Sequence, residues 1–373
     1  MPYFDFAATT KPSKEVLDMY NKVNDEYWYN ISGQYRPSVV GANLLQKASL
    51  QILSALNVQN KKIIFTSGAT EANNTAIYGI CNKYIGQNKH IITTSIEHAS
   101  VLNCFKNLEE KGFEVTYLKV DKSGVIDLNE LENAIKPNTI FISIMWVNNI
   151  VGTVMPIKDI INIVKKYPRI KLHVDAVQGI GKLENDFDFS NIDMFTLSGH
   201  KIHGVKGVGA LVLNNNIELS TLIKGGHQQN NMRAGTVDLA SILAFTVALK
   251  NAIKAQAATY NYVHELYMHL FNSIKDLNYL SLNVNKKAYS PFILSITFKN
   301  IKAETVMHFL ERHDIYVGIG SACNEKTKTV DPILEYMQDK NLAINTIRVS
   351  FSKDNNKEEV DLLIEKIKEI GEK

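Results

Sequence analysis

Lys201 has the setting in this 373-residue sequence that most favours covalent chemistry. It ends the segment "DMFTLSGHK", in which an apolar strand pattern is followed by small residues and then by the lysine. An amine confined among small groups beside a strand end can lose its hydration, as Schiff-base chemistry requires. The alternative is an exposed loop lysine, and the next lysine, Lys206, is the candidate for that ordinary role.

Two further stretches supply groups that could bind an anion and a cation. In "IIFTSGATEANN" an apolar strand pattern ends at Ser67 and Gly68, and a helix pattern begins at Ala69 and Thr70. Free backbone N–H groups at such a helix start can hold a phosphate, although a simple helix cap is the alternative. In "HVDAVQ" Asp175 ends an apolar strand, where a carboxylate needs a cation or several donors. It is either a helix cap or the counter-ion of a protonated ring nitrogen.

The order of these groups along the chain indicates one cofactor. The phosphate turn is followed by the carboxylate of Asp175 and then by the amine of Lys201, and His98 in "IEHASV" is a candidate platform for ring stacking. Pyridoxal 5'-phosphate needs a phosphate cradle, an acid opposite its ring nitrogen, an amine for its aldehyde and a stacking group. The set therefore predicts a pyridoxal-phosphate site.

The elements that must position these residues alternate along the chain. Apolar, β-branched segments separated by helical patterns predict an α/β fold with a mostly parallel seven-stranded sheet buried on both faces. From about residue 237 a long helical stretch follows. It leads to strand patterns and a closing amphipathic helix with Val360, Leu363, Ile364 and Ile367 on one face. The predicted strands are "KKIIFTS", "KHIITTS", "FEVTYLKV", "TIFISIMWV", "IKLHVDA", "DMFTLS" and "GALVL" in the sheet, then "FILSITF", "IYVGIG" and "TIRVSFS".

Length and composition predict a globular protein of two domains. We expect a large domain at 15–250 and a smaller α+β domain at 251–373, with residues 1–14 packing near the smaller one. A formal net charge of +3 gives no broad cationic field, so direct nucleic-acid binding is not expected. The sequence lacks both a run of about 18 apolar residues and a secretory signal, so we expect no membrane segment and a cytoplasmic location.

The three cysteines predict free thiols. Cys81, Cys104 and Cys323 are far apart and form no C-x-x-C pair, which favours neither a disulfide framework nor a cysteine-rich zinc site. We therefore expect no metal. Cys323 lies in "VGIGSACNEKTKTVDP", where small residues lead into a polar, charged run. This composition predicts a loop in which the thiol can move.

Taken together, the motifs resemble those of the fold-type I pyridoxal-phosphate enzymes of the class V aminotransferase group, and within it the cysteine desulfurases with a long catalytic loop. The resemblance covers nearly the whole chain. It implies a homodimer that removes sulfur from L-cysteine, giving L-alanine and a persulfide on Cys323. The matching blocks, in order, are "DFAATT", "FTSGATEANN", "IEHASV", "SIMWVNN", "HVDAVQ", "SGHK", "MRAGT", "GSAC" and "IRVSFS".

The resemblance also implies roles for the matching residues at the cofactor. Lys201 carries the cofactor on its amine, Asp175 pairs with the ring nitrogen and Gln178 contacts the ring hydroxyl. His98 stacks on the ring, and Asn149 lies near cofactor and substrate. The phosphate is expected to contact Ala69, Thr70, Ser198, His200 and, from the second subunit, Thr236.

The substrate-side roles follow from the same resemblance. Arg348 binds the substrate carboxylate, which a guanidinium can hold with two hydrogen bonds. The amine of Lys201 removes the α-proton, and the thiolate of Cys323 attacks the substrate sulfur. The persulfide then passes to an acceptor protein, either an iron–sulfur scaffold or a tRNA-thiolation factor.

The chain departs from the family pattern at four places, one of which is "CNEKTK" at Cys323 in place of the usual Cys-Thr-Ser start. Two other functions stay open. The segment around Ile31 lacks the usual proline and histidine, Ile150 replaces an acid, and residues 227–231 read "HQQNN". These departures lie on cofactor-side and dimer-side loops. The alternatives are a selenocysteine lyase or another class V aminotransferase-like enzyme and, in a different class, an inactive scaffold with the same fold.

Overall fold

The central sheet contains all seven strands that the sequence predicts for it. The computed structural model describes residues 1–285, 287–320, 332–338 and 340–371. The strands in these ranges are β1 (Tyr3–Phe4), β2 (Lys61–Thr66), β3 (His90–Thr94), β4 (Glu114–Leu118), β5 (Thr139–Met145), β6 (Lys171–Asp175), β7 (Met194–Ser198), β8 (Gly209–Asn214), β9 (Leu280–Asn283), β10 (Ile293–Phe298), β11 (Tyr316–Val317) and β12 (Thr346–Ser350). Strands β2 to β8 form the predicted sheet, so the α/β prediction is confirmed.

The helices flank this sheet and then continue into the C-terminal part. They are α1 (Lys14–Glu26), α2 (Arg36–Ala55), α3 (Ala69–Cys81), α4 (Ala99–Glu110), α5 (Leu128–Ala134), α6 (Ile157–Val164), α7 (Leu239–Lys254), α8 (Gln256–Ile274), α9 (Ala303–Glu311), α10 (Pro332–Met337), α11 (Lys340–Ala343) and α12 (Lys357–Gly371). The helical stretch predicted from residue 237 is thus two helices, because Ala255 departs from helical geometry at ψ 0°. In the described ranges, no helix has both the length and the apolar character needed to cross a membrane.

The topology of the sheet gathers the predicted residues at one edge. The strand order is β2-β8-β7-β6-β5-β3-β4, with β8 antiparallel to both of its neighbours and the other pairs parallel. The sheet is therefore mostly parallel. Ligands of such sheets bind outside the carboxyl ends of the strands. The phosphate turn, His98, Asp175 and Lys201 all follow or end a strand at that edge.

Apolar side chains on both faces hold the sheet between helices. Ile91 and Phe141 pack in the cluster that includes α3 and α4, whereas their neighbours Ile92 and Ile142 pack in the cluster on the opposite face. Successive side chains of a strand point to opposite faces, so each of these strands is buried on both sides. This explains why the strands are continuous apolar runs rather than alternating patterns.

The C-terminal part carries a second, antiparallel sheet with the order β12-β10-β9. Helix α12 buries Val360, Leu363, Ile364 and Ile367, as its pattern predicts. The N-terminal segment joins this part, because β1 pairs in parallel with β11 and Asp5 bridges to Ser350. The domain boundary at residues 250 and 251 stays a prediction.

Candidate active site

A cavity of 620 Å³ lies at the carboxyl edge of the central sheet. Ser198 and Thr236 do not line it, and Cys323 lies outside the described residues. Thr236 is exposed, so its predicted contact with a second subunit stays a prediction. The predicted residues that line the cavity are Ala69, Thr70, His98, Asn149, Asp175, Gln178, His200, Lys201 and Arg348.

Lys201 is held at the cavity wall by the N-terminal segment. It ends the short 3₁₀ turn Gly199–Lys201 that follows β7. Its Nζ donates hydrogen bonds to the carbonyl oxygens of Ala7 (2.6 Å) and Ala8 (2.7 Å). Gly204 permits the tight chain reversal, since a Cβ there would lie 2.7 Å from the carbonyl oxygen of Gly199. The "DFAATT" block and the "SGHK" block, far apart in sequence, therefore meet at this amine.

Asp175 presents a buried carboxylate at the end of β6. The residue is 7% exposed, so an unpartnered carboxylate there would be costly. Oδ2 accepts a hydrogen bond from Asn73 Nδ2 (2.8 Å), and Oδ1 accepts one from the backbone N–H of Val177 (3.1 Å). Each carboxylate oxygen can accept a further bond. The group can therefore pair with a cationic N–H in the cavity.

The ring of His98 is fixed as the N-cap of α4. Its Nδ1 accepts a hydrogen bond from the backbone N–H of Ser100 (3.1 Å), which leaves the proton of the neutral ring on Nε2. Burial lowers the pKa of His98; the charge of Asp175 opposes this shift, and that of Lys201 adds to it. A neutral, oriented ring at the cavity wall is suited to stacking.

The start of α3 lies at the cavity, where the sequence predicts an anion cradle. Gly68 precedes the helix with φ 153°, and no atom lies within 4 Å of the position of a Cβ there, so the turn stays open. Glu71 in the first helical turn is paired with Arg233 of "MRAGT" (2.8 Å). Although burial opposes ionisation, the hydrogen bonds from Arg233 and Ser67 lower the pKa of Glu71. The negative charge of Glu71 is therefore already neutralised by Arg233 before any phosphate binds.

His200, which lines the cavity, and Ser198, which ends β7 two residues earlier, are further polar residues at this edge of the sheet. Burial, and secondarily the charges of Lys201, Lys206 and Lys182, lower the pKa of His200 to about 4, so this ring is neutral. Ser198 is buried, and its Oγ has no hydrogen-bond partner among the described residues. A buried hydroxyl without a partner costs free energy, so a ligand oxygen would satisfy it.

Arg348 is the largest fully buried side chain in the described ranges. Its Nη1 donates to the backbone oxygen of Asn149 (2.9 Å), and its Nη2 pairs with Asp5 (2.6 Å). Its Nε has no partner among the described residues. Two bonds therefore fix the guanidinium, while it keeps donors for a carboxylate that enters the cavity.

Glu97, beside His98, is a buried acid that sequence reasoning missed. Oε1 accepts hydrogen bonds from Thr94 (2.7 Å) and from the backbone N–H of Met145 (3.0 Å), whereas Oε2 has no partner among the described residues. Burial raises the pKa of Glu97 to about 8, the two hydrogen bonds oppose this, and Asp175 adds to it. The folded protein therefore holds this group protonated at neutral pH.

We expect Glu97→Gln to remove part of the pH dependence of stability. The folded pKa near 8 lies above the ordinary value of 4.5, so the folded chain binds the extra proton between these values. Stability therefore falls as pH rises through that window, by at most ~1.4 kcal/mol per pH unit. Denaturant unfolding at both ends of the window checks this. Equal losses in wild type and Glu97→Gln would contradict it.

At three of the departures from the family pattern, packing or backbone pairing explains the residues present, whereas the fourth, "CNEKTK", lies outside the described residues. Ile150 is 1% exposed and belongs to the core. Ile31 packs on α2, where a Cβ on Gly41 would lie 2.7 Å from its Cγ2. The side-chain amide of Gln229 bonds both the N–H (2.7 Å) and the C=O (2.8 Å) of Phe65 on edge strand β2. These residues therefore have structural reasons to be present.

The comparisons with known proteins place the chain in a family. The family model described as Aminotransferase class-V matches residues 2–363. The chain belongs to this family. It is 36% identical to the cysteine desulfurase IscS of Methanosarcina thermophila, with 100% of this chain and 92% of that protein aligned. It is 35% identical to a cysteine desulfurase of Homo sapiens, over 98% of this chain and 80% of that one.

A solved structure agrees with this assignment. A protein named NifS-like protein superposes with a TM-score of 0.92 at 33% identity, covering 99% of this chain and 98% of that one. The family assignment inferred from the motifs is confirmed, and so is the fold-type I architecture.

The described residues fit pyridoxal phosphate. The cavity brings together an amine, Lys201, a buried carboxylate, Asp175, and the open start of α3. Ser198 does not line the cavity, but it lies two residues before His200, which does, and its hydroxyl has no hydrogen-bond partner among the described residues. This donor set matches an aldehyde, a ring nitrogen and a phosphate.

Sequence reasoning missed four buried or half-buried polar residues in or near the site: Asn73, Glu97, Asp5 and Lys182, whose Nζ donates to Gln178 Oε1 at 2.9 Å. Asn73 follows Ala69 by four positions, so the helical period could have placed both on one face. Asp5 stands in the recognised "DFAATT" block, but its bond to Arg348 spans almost the whole chain. Nothing in the sequence pattern singled out Lys182.

Proposed function

We propose that the protein is a pyridoxal-phosphate-dependent cysteine desulfurase that takes L-cysteine to L-alanine and leaves the sulfur as a persulfide on Cys323. One observation carries the proposal. Lys201, Asp175 and Arg348 line a single cavity in a chain whose full-length relatives are named cysteine desulfurases. Alanine release from L-cysteine by the purified protein, supplied with pyridoxal phosphate, tests it. Absence of alanine would refute it.

Each residue of the cavity has a task. Bound pyridoxal phosphate supplies an electron sink for the charge left when the α-proton departs. Asp175 would accept a hydrogen bond from the ring N–H, and His98 would stack on the ring. The Nζ of Lys201 moves the proton at the substrate α-carbon. Asn149, whose backbone already holds Arg348, borders the cavity beside the substrate.

Arg348 holds the substrate carboxylate. The guanidinium is buried and pre-oriented by Asp5 and Asn149, so little freedom is lost when a carboxylate binds. The carboxylate is bonded directly to the α-carbon, so holding the carboxylate places the α-carbon beside Lys201. The anchoring selects α-amino acids over simple thiols.

We expect Arg348→Lys to raise KM for L-cysteine about 10- to 100-fold. The lysine keeps the charge but loses the two-pronged geometry, and a charge-assisted hydrogen bond contributes about 1.5–3 kcal/mol. Steady-state alanine assays give KM and kcat separately. The matched control is Arg312→Lys on the exposed end of α9, which leaves both unchanged. An unchanged KM in Arg348→Lys would remove Arg348 from the substrate site.

Cys323 accepts the sulfur in this proposal. The two described cysteines, Cys81 and Cys104, are free and buried, and burial raises the pKa of both thiols. Buried, protonated thiols are inert, because the thiolate is the nucleophile. The thiolate of Cys323 attacks the substrate sulfur, the S–Cβ bond breaks, and the released carbon centre takes a proton. The products are alanine and a Cys323 persulfide.

The partners are part of the proposal. The persulfide sulfur passes to an acceptor protein, either an iron–sulfur scaffold or a tRNA-thiolation factor, in the cytoplasm. A homodimer is supported by exposed apolar side chains between α1 and α2, where Trp28 is 69% and Tyr35 54% exposed. The ring of Tyr29 stacks on Trp28 at 4.3 Å. An apolar patch of this kind is typical of an interface.

A further inference from the structure

Lys182 places an amine inside the protein beside the proposed active site. The residue is 9% exposed, and its Nζ lies 5.8 Å from the ring centroid of Phe292. Burial, and secondarily the charges of Lys201 and Arg348, lower the pKa of Lys182 to about 7. Among the described residues, no carboxylate forms an ion pair with it. Burying an amine without a paired carboxylate costs folding free energy. The contacts of Lys182 therefore indicate why the amine is retained.

The hydrogen bond that Lys182 makes is to Gln178. Its Nζ donates to Gln178 Oε1 at 2.9 Å. On the other side, Gln178 Nε2 donates to the carbonyl oxygen of Ala7 at 3.0 Å. A carbonyl oxygen can only accept, so the amide nitrogen must face Ala7 and the amide oxygen must face Lys182. The two partners together allow one orientation of the amide.

This orientation matters because Gln178 lines the cavity. With one N–H used on Ala7, the second N–H of Nε2 is left to donate. The carbonyl oxygen of Ala7 also accepts a hydrogen bond from Lys201 Nζ at 2.6 Å. The Gln178 amide and the catalytic amine of Lys201 therefore share one acceptor. Without Lys182, Oε1 would be buried without a donor, and the side chain would gain by turning away.

We propose that Lys182 is a positioning residue that acts through Gln178, holding its amide so that Nε2 presents an N–H to the ring hydroxyl of pyridoxal phosphate. The proposal rests on the cofactor assignment made above. Lys182 itself contacts neither substrate nor cofactor in this role. Its effect on the cofactor must therefore disappear when the Gln178 side chain is absent.

A double-mutant cycle with Lys182→Met and Gln178→Ala tests this dependence. The readouts are the affinity of the apoprotein for pyridoxal phosphate, by titration, and the position of the visible absorbance band of the bound cofactor. We expect Lys182→Met to weaken cofactor binding about 5- to 10-fold and to shift the band. In the Gln178→Ala background the same substitution changes affinity less than about 2-fold and leaves the band in place.

Further variants separate positioning from a general effect on folding. Lys182→Arg keeps a donor and retains wild-type affinity to within about 3-fold, and Lys165→Met, at an exposed position after α6, changes nothing. Thermal unfolding of the apoproteins shows that Lys182→Met is folded, as expected when a methionine replaces a buried charge. An unchanged affinity in Lys182→Met, or an equal loss with and without Gln178, would overturn the proposal. A wild-type protein that binds no pyridoxal phosphate would instead refute the cofactor assignment, and the proposal with it.

Discussion

Replacing Cys323 by serine abolishes alanine release from L-cysteine while cofactor binding stays intact. A serine hydroxyl is not ionised at neutral pH and is a poor nucleophile toward sulfur, so the S–Cβ bond is not cleaved. The residues proposed to hold the cofactor are unchanged by this substitution, and most of them line the described cavity. We expect the rate to fall at least about 10³-fold, measured as alanine formed over time.

The control for this substitution is Cys104→Ser. Cys104 Sγ donates to the carbonyl oxygen of Ser100 at 3.1 Å, and a serine can keep that donor. The control is expected to retain most of the activity. Undiminished alanine release by Cys323→Ser would refute the assignment of the nucleophile. Cleavage of selenocysteine but not cysteine by both wild type and Cys323→Ser would favour the selenocysteine lyase.

Replacing Lys201 by alanine removes covalent attachment of the cofactor and the catalytic proton transfer together. The Lys201 amine lies at the carboxyl edge of the sheet, where the carbonyl oxygens of Ala7 and Ala8 hold it in place. In the proposed mechanism it is the nitrogen nucleophile. We expect the visible absorbance band of the lysine-bound cofactor to disappear and alanine formation to fall at least about 10³-fold. Spectra of the purified variant, followed by the alanine assay, check both effects.

Lys206→Ala is the matched control, because Lys206 borders the same cavity but is exposed. It is expected to keep the band and most of the activity. A band that survives in Lys201→Ala would show that another amine carries the cofactor. A wild type with no band at all would favour the inactive scaffold.

The fold was predictable because its signals are local. The seven strands of the central sheet are apolar runs separated by helical patterns, and each lies where the runs predict. The short strands β1 and β9 were not predicted, since two to four residues give too little pattern to distinguish from a loop. The pairing of β1 with β11 joins opposite ends of the chain and has no local signal.

A site residue could be predicted from sequence where it ends or follows an apolar strand pattern within one of the family motifs. Asp175 and Lys201 are of this kind, and both line the cavity. Asn73 and Lys182 were not predicted, because their roles depend on which side chains the fold brings within hydrogen-bond distance. Lys182 resembles an ordinary surface lysine in sequence, and burial alone distinguishes it.

The measurement that tests the central claim most directly is a single turnover with one equivalent of L-cysteine, followed by mass spectrometry of the peptide that contains Cys323 and quantification of alanine. The account predicts a peptide heavier by one sulfur atom and one alanine for each persulfide formed. Alanine without a modified Cys323, or L-cysteine that remains unconsumed by the cofactor-loaded protein, would contradict it.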